Sequence, residues 1–262
     1  MSQHTRVSAA VRAAYDAQYD EDMAAWRALG AKFKARNIRE VCAGHRFGSV
    51  LECGAGDGSL LLQLARAGFC PELHAAEISR SGVAVIGRRD IPGLRSVARF
   101  DGYHLPYPDK RFDLAVLSHV LEHVEHPRLL LRELARVSRF QVIEVPLDYS
   151  PAVDTRVGHF LAYGHINIFT PALLRFLLLS EGFAILRDRY DPGHGEVDRF
   201  QRYRLQGRPR TLRAEARRRA VAGLVALRRR LTPAAQRRER RFNAYCVLCE
   251  HGGGELSVLP ST

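Results

Sequence analysis

Ser49–Val50–Leu51–Glu52–Cys53–Gly54–Ala55–Gly56–Asp57–Gly58 is the stretch that decides the fold. An apolar strand runs into a loop with glycine at every second position. Ser59–Leu60–Leu61–Leu62–Gln63–Leu64 then reads as a helix. Glycines 54, 56 and 58 let the backbone turn tightly and approach a ligand that a Cβ would hold away. Glu52, at the strand end, is placed to accept hydrogen bonds from a cationic or hydroxylated group. Loops of this kind hold nucleotide-like ligands at the carboxyl ends of parallel strands.

Outward from this loop, strands and helices alternate. Strands are predicted at 49–53, 72–76, 95–100, 112–117 and 140–145, with helices at 59–67, 82–88 and 127–138 between them. This alternation argues a parallel sheet with helices on both faces, because right-handed crossovers distribute them that way. Beyond Pro146, the segment to Ile168 is long, polar and aromatic, and loops of that length usually carry function. Thr170–Pro171 is an N-cap with proline in the first turn, opening a helix over 172–181 that stops at Gly182. Further strands are expected at 183–186 and 243–250, and a loose tail at 251–262. Upstream, 8–42 reads as one helical stretch whose Met23, Trp26, Leu29 and Phe33 form an apolar stripe. That stripe serves either as core packing or as a lid over the ligand site, with Tyr15 and Tyr19 sharing a face.

Length and composition bound the answer. The chain has 262 residues, 46% hydrophobic and 8% aromatic, which suits one α/β domain with additions. Its polar start lacks the apolar run of a signal peptide, and the longest apolar runs are too short to span a bilayer, so a cytoplasmic protein is expected. The five cysteines (42, 53, 70, 246 and 249) suit reduced thiols. Cys246-x-x-Cys249 lies in a predicted strand, where positions three apart face opposite sides, so a buried structural pair is expected and not half a zinc site. Charge is uneven. Residues 199–241 carry 16 arginines against two acids, while the rest of the chain has 24 basic and 26 acidic residues.

Four elements in order carry a family resemblance. They are Glu52-x-Gly54-x-Gly56-x-Gly58, the acid Glu77 ending the second strand, Phe100–Asp101–Gly102–Tyr103–His104–Leu105–Pro106–Tyr107–Pro108–Asp109, and Phe112–Asp113–Leu114–Ala115–Val116. Leu117–Ser118–His119–Val120–Leu121–Glu122–His123–Val124 and His165–Ile166–Asn167–Ile168–Phe169–Thr170 extend the match. Together they resemble class I S-adenosylmethionine-dependent methyltransferases of the small-molecule type. The resemblance implies a Rossmann-like, doubly wound, mainly parallel seven-stranded sheet with an antiparallel last strand. It divides the chain into an N-terminal helical lid or cap (1–45) and a methyltransferase domain (46–262) with a basic helical insertion at about 199–241.

The resemblance also assigns S-adenosyl-L-methionine as cofactor and a set of roles. Backbone N–H groups of Gly54, Gly56 and Gly58 face the methionine carboxylate, Glu52 borders the same end, and Glu77 accepts the ribose hydroxyls. Ile78 packs on the adenine face, Asp101 accepts from the adenine amino group, Gly102 N–H reaches a ring nitrogen, and Ser118 lies beside the methyl. A nicotinamide-binding fold is the nearest rival. It wants Gly-x-Gly-x-x-Gly, whereas Gly58 comes one position early. The 100–109 segment favours methyl transfer.

Transfer from a sulfonium is an in-line displacement, so alignment dominates and a base is needed only for a protonated nucleophile. His119 and His165 are the candidate general bases, and Tyr15, Tyr19, His123 and Tyr163 the candidate acceptor contacts. His119, His123 and His126 raise the thought of a metal, but Pro127 interrupts the segment, and none is expected. Leu212, Ala216, Ala220, Leu224, Leu227 and Leu231 line a stripe flanked by arginines. Two readings of it stay open: a solvated helix packing its stripe on the body, and a basic amphipathic helix on an anionic membrane surface. Nucleic acid ranks third. The expected function is methyl transfer to a small-molecule acceptor, lipid-linked or glycan-related, with a peripheral membrane contact. An RNA methyltransferase and a non-catalytic scaffold are the alternatives.

Overall fold

The computed structural model describes residues 6–16, 19, 23–149, 153–162, 164–231 and 242–252. Seven strands form one sheet in the order β3-β2-β1-β4-β5-β7-β6. They are β1 Ser49–Cys53, β2 Glu72–Glu77, β3 Leu94–Arg99, β4 Phe112–Ser118, β5 Ser138–Pro146, β6 Phe183–Asp191 and β7 Ala244–His251. The first five pair in parallel, while β7 runs antiparallel to both β5 and β6. The expected doubly wound sheet with an antiparallel last strand is the observed one. Strand order reverses between β1 and β4, and ligands of open α/β sheets bind in the crevice at such a switch point.

Each strand face is covered by helices. Helices α1 (Ala9–Asp16), α2 (Ala24–Val41), α3 (Ser59–Arg66) and α4 (Arg80–Arg88) precede β3; α5 (Pro127–Val137) lies between β4 and β5. After β5 come α6 (Val157–Ala162), α7 (Pro171–Ser180), α8 (Gly195–Phe200) and α9 (Leu212–Leu231). One core cluster joins Ile38, Leu61, Leu64 and Ile86 to Val50, Val142 and Leu248 of the sheet. The other joins Leu130, Leu134, Leu174 and Leu178 to Leu51, Leu117, Ile143 and Val247. Alternate residues of a strand thus serve opposite cores, which is why these strands read as near-continuous apolar runs. Cys246 belongs to the first cluster and Cys249 to the second, as expected for positions three apart on a strand. All five cysteines are buried and free.

The helical stretch over 8–42 comprises two helices, α1 and α2. The Asp16 carboxylate, at the end of α1, accepts from the Arg80 N–H at 2.5 Å, which ties that end to the start of α4. Moreover, α2 packs on the sheet through Ala31, Ala35, Ile38 and Val41, while Met23, Trp26 and Phe33 line a cavity. Small residues let the helix approach the sheet, which turns the aromatic stripe toward the ligand side.

The basic segment lies in the connection between β6 and β7, and its residues 232–241 fall outside the described set. The apolar stripe of α9 does not pack on the body. Leu212 is 91% and Leu231 75% exposed, and Val221, Leu224 and Leu227 are more than half exposed. The start of α9 is tied down by Glu215, which accepts from the Tyr203 hydroxyl at 2.8 Å and from Arg218 at 3.1 Å.

Candidate active site

The loop after β1 is held open by three left-handed glycines, Gly54 (φ 74°), Gly56 (φ 57°) and Gly58 (φ 75°). N–H groups of Gly54 and Ala55 both donate to Ala76 O, at 2.8 and 3.1 Å, which pins the loop to the end of β2. A Cβ on Gly54 would stand 2.6 Å from Val120 Cγ2, and one on Gly56 3.2 Å from the Tyr19 ring. Asp57 caps the following helix by accepting from Ser59 N at 3.0 Å, and it also accepts from Arg27 at 3.0 Å. Burial alone would raise its pKa, but the Ser59 bonds, Arg89 and Arg27 outweigh burial and lower it.

These elements open on one cavity of ≈ 550 Å³. Gly54, Gly56, Glu52, Glu77, Ile78, Gly102 and Ser118 line it, as do Tyr15, Tyr19, His119, His123 and His165. The Glu77 carboxylate accepts from Gly56 N at 2.8 Å and from Ser79 N at 3.0 Å, fixing its angle at the β2 end; burial raises its pKa. Glu52 is 3% exposed, and among the described residues its Oε2 has no hydrogen-bond partner, so it presents an orphaned acceptor to the cavity. Burial raises its pKa well above the ordinary carboxylate value.

Two expected residues are placed differently. Gly58 is not among the cavity-lining residues; a Cβ there would meet Ile91 and Ile86 at 3.0 and 3.2 Å, so it serves close packing of α4 against the loop. The Asp101 carboxylate turns into its own loop, accepting from Tyr103 N, His104 N and the His104 ring at 2.8 to 2.9 Å, and it too is absent from the lining. The Asp101 carbonyl accepts from Val7 N at 3.1 Å, and Val7 lies against Gly102. Tyr163 lies outside the described residues.

Opposite the glycine loop, β4 ends at Ser118, whose hydroxyl donates to Glu144 at 2.6 Å. Asn37 of α2 donates to the other Glu144 oxygen at 2.7 Å. His119 follows with φ 56°, a left-handed conformation that costs a non-glycine residue ~1–3 kcal/mol. Its ring stands 3.7 Å from Glu122 and 3.9 Å from Glu144. Burial, then Lys34 and the neighbouring histidines, push its pKa well below 6.5, so it is neutral at pH 7.

The chain then makes a 3-10 turn, Leu121–His123, over which the 164–167 segment is stitched. N–H groups of Ile166 and Asn167 donate to Glu122 O, and the Asn167 amide donates to Leu121 O and Val124 O at 3.1 and 2.7 Å. This clamp brings His165 to Glu122 and His123. His165 Nδ1 pairs with Asp148 at 2.6 Å, and His123 Nδ1 with the Gly164 carbonyl at 2.9 Å. Burial would lower the His165 pKa, but Asp148 and Glu122 raise it. His123 is pushed down to about 4, chiefly by burial, and Glu122 is pushed up to about 7 by burial.

Sequence reasoning missed several lining residues: Asp57, Glu122 and Glu144, the cations Arg27 and Lys34, and Asp191, His194 and Gln201 near α8. The His194 ring stacks on Phe33 at 3.5 Å between centroids, which closes that end against α2. Glu122 sits in an apolar-looking run, and only its companion His123 marks it. Lys34 and His194 carry no local signal.

A glycine cradle at the switch point, an acid ending β2 and an orphaned carboxylate define a nucleoside-cofactor-binding α/β enzyme. Residues 15–187 match the family model described as Methyltransferase domain. The chain belongs to the S-adenosylmethionine-dependent methyltransferase family. It is 31% identical over 94 residues to ajmaline N-methyltransferase of Rauvolfia serpentina, covering 34% of this chain and 32% of that protein. It is 34% identical over 91 residues to demethylmenaquinone methyltransferase of Corynebacterium urealyticum, covering 34% and 36%. The match thus spans about a third of the length of these curated relatives. Phosphoethanolamine N-methyltransferase 2 of Haemonchus contortus, solved with S-adenosyl-L-methionine, superposes with a TM-score of 0.63 at 14% identity, over 92% of this chain and 59% of that one. Among the described residues no helix is long and apolar enough to cross a membrane.

Proposed function

We propose that the chain transfers the methyl group of S-adenosylmethionine to a small-molecule acceptor, lipid-linked or glycan-related, met at an anionic membrane surface on the cytoplasmic side. One observation carries the reading: the glycine cradle and the histidine-lined wall face each other across a single cavity. Bound S-adenosylmethionine supplies a methyl on a cationic sulfur, activated for in-line displacement.

This chain's residues supply binding and alignment. The N–H groups of Gly54, Gly56 and Gly58, expected to face the methionine carboxylate, donate instead within the protein, to Ala76 O, Glu77 and Ala55 O. The cradle serves by letting the backbone approach the methionine end closely, and Glu52, whose Oε2 has no hydrogen-bond partner among the described residues, suits the ammonium there. Glu77 retains acceptor capacity for the ribose hydroxyls, and Ile78 offers an apolar face to the base. Gly102 and Val7 border that end, while Asp101 acts by shaping its loop. The acceptor lies among Tyr15, Tyr19, His119, His123 and His165, with Tyr163 the remaining candidate contact. His119, neutral and beside Ser118, takes a proton from the acceptor if one must leave; His165, held by Asp148, is the second candidate.

The membrane contact draws support from α9, whose leucines stand exposed beside arginines. Each arginine near an anionic surface contributes about 1 kcal/mol. Incubating the protein with labelled S-adenosylmethionine and separate lipid, aqueous small-molecule and RNA fractions tests the proposal. Methyl label should appear in a small-molecule or lipid product; label confined to RNA would overturn it in favour of the nucleic-acid reading.

A further inference from the structure

Glu122, His123 and His165 form a cluster that methyl transfer does not require. A carboxylate oxygen of Glu122 and one ring nitrogen from each histidine all lie within 4.8 Å of one another. Glu122 is 1% exposed, yet neither of its oxygens has a hydrogen-bond partner among the described residues. A buried carboxylate left so is unfavourable unless a cation meets it or it takes up a proton. The Glu122 backbone N–H, then His165 and Lys34 through space, favour the charged form, while ring nitrogens of His119 and His123 both stand at 3.7 Å.

Both histidines are also oriented as ligands are. His165 Nδ1 is bound to Asp148 at 2.6 Å and His123 Nδ1 to the Gly164 carbonyl at 2.9 Å. Metal-bound imidazoles almost always carry such a partner on the other ring nitrogen, which fixes the tautomer and ring angle. His123 Nε2 then points toward Glu122 Oε1. Bonds of about 2.1 Å place ligand atoms ~3.4 Å apart in a tetrahedral shell and ~4.2 Å apart when opposed. Closing the observed spread takes about an ångström of side-chain movement.

We propose that Glu122, His123 and His165 bind a divalent first-row transition ion, with Asp148 and the Gly164 carbonyl as positioning groups. Two imidazoles and one carboxylate suit Zn2+, Co2+, Mn2+ or Fe2+ and not the oxygen-only preference of Ca2+ and Mg2+. The sequence pointed away from metal because it weighed His119, His123 and His126 on one segment. The histidine that completes the set comes from the chain beyond β5, and the His126 ring packs instead beside the Tyr103 ring, at 5.7 Å between centroids.

Three protein ligands leave coordination positions open toward the cavity, where an acceptor with an oxygen donor would bind the ion and lose its proton more readily. That role rests on the methyl-transfer reading; the ion site does not. Ligation takes His165 out of the base role and leaves His119 as proton acceptor.

Titrating the metal-free full chain with Co2+, followed by its visible absorption and by calorimetry, tests the site without any turnover. One Co2+ per chain should bind and be displaced by Zn2+. Glu122→Gln and His165→Ala should each weaken binding at least ~10-fold, and Asp148→Asn by ~10–100-fold with the melting transition preserved. His104→Ala, which removes a histidine paired to a carboxylate elsewhere, should bind as wild type does. X-ray absorption of the Zn2+-loaded wild type, which needs no variant to fold, should show imidazole in the shell. No stoichiometric binding, binding unchanged in both ligand variants, or a shell without imidazole would overturn the proposal. S-adenosylhomocysteine binding measured in parallel keeps a failed ion site distinct from a failed methyltransferase.

Discussion

Gly56 carries more of the site than its size suggests. Its N–H reaches Glu77, its φ is left-handed, and Tyr19 covers the space where a Cβ would go. Gly56→Ala should cost ~1–2 kcal/mol of stability from the backbone alone and weaken S-adenosylhomocysteine at least tenfold, read by calorimetry and a melt on the same sample. Glu181 is a second residue with a clear expectation. It accepts from Arg128 at 2.5 Å and from Arg132 at 2.6 Å, joining α5 to the end of α7. Burial would raise its pKa, but these arginines lower it below 4.5. A depressed folded pKa gives stability that is present above the unfolded value and lost as pH falls through the folded one. Glu181→Gln should therefore be ~1–2 kcal/mol less stable at pH 7, and the gap should close as the pH of a urea melt falls below about 4. A gap independent of pH would contradict the assignment. The cradle residues were legible because chain spacing alone places them at one strand end. Glu122, Glu144 and Lys34 were not, because their meaning depends on partners that only the sheet brings near.

At the scale of elements, the clamp over the 3-10 turn and the exposed helix α9 make separate predictions. Asn167 holds the 164–167 segment to Leu121 and Val124 through its amide. Asn167→Ala should release His165 from its neighbours and lower kcat/KM for the acceptor at least ~10-fold, while leaving cofactor affinity within about twofold. Equal losses in both would show the clamp to be a fold requirement and not a feature of the acceptor wall. Helix α9 predicts flotation of the full chain with anionic vesicles at low salt and release at high salt. Leu224→Glu with Leu227→Glu should abolish flotation and leave the helical circular dichroism unchanged, because both leucines are exposed. Strands and helices of the sheet were legible to within a few residues, since alternating apolar runs and glycine stops fix them. The end of α1 at Asp16 was not, because no glycine or proline between residues 9 and 23 marks it. Nor was α8, short and without an apolar period, although it brings His194 to the cavity wall.

Across the whole molecule, a near-neutral body carries a cationic segment at 199–241. On the proposed reading, the β1 and β2 ends set the donor, and the wall from His119 to His165, with α1 and α2, sets the acceptor. Donor identity was readable because the four elements that carry the family resemblance occur in chain order. Acceptor identity was not, because the wall proposed for it is assembled from α1, α2, the 3-10 turn and residues such as Asp148 and His165 after β5, which meet only in the fold. Calorimetry of the full chain with S-adenosylhomocysteine, wild type beside Glu77→Ala, tests the account most directly. One site per chain with a Kd on the order of micromolar, weakened at least ~10-fold in the variant, is the predicted result. No binding to the wild type at about 1 mM ligand, or equal binding to both proteins, would contradict it.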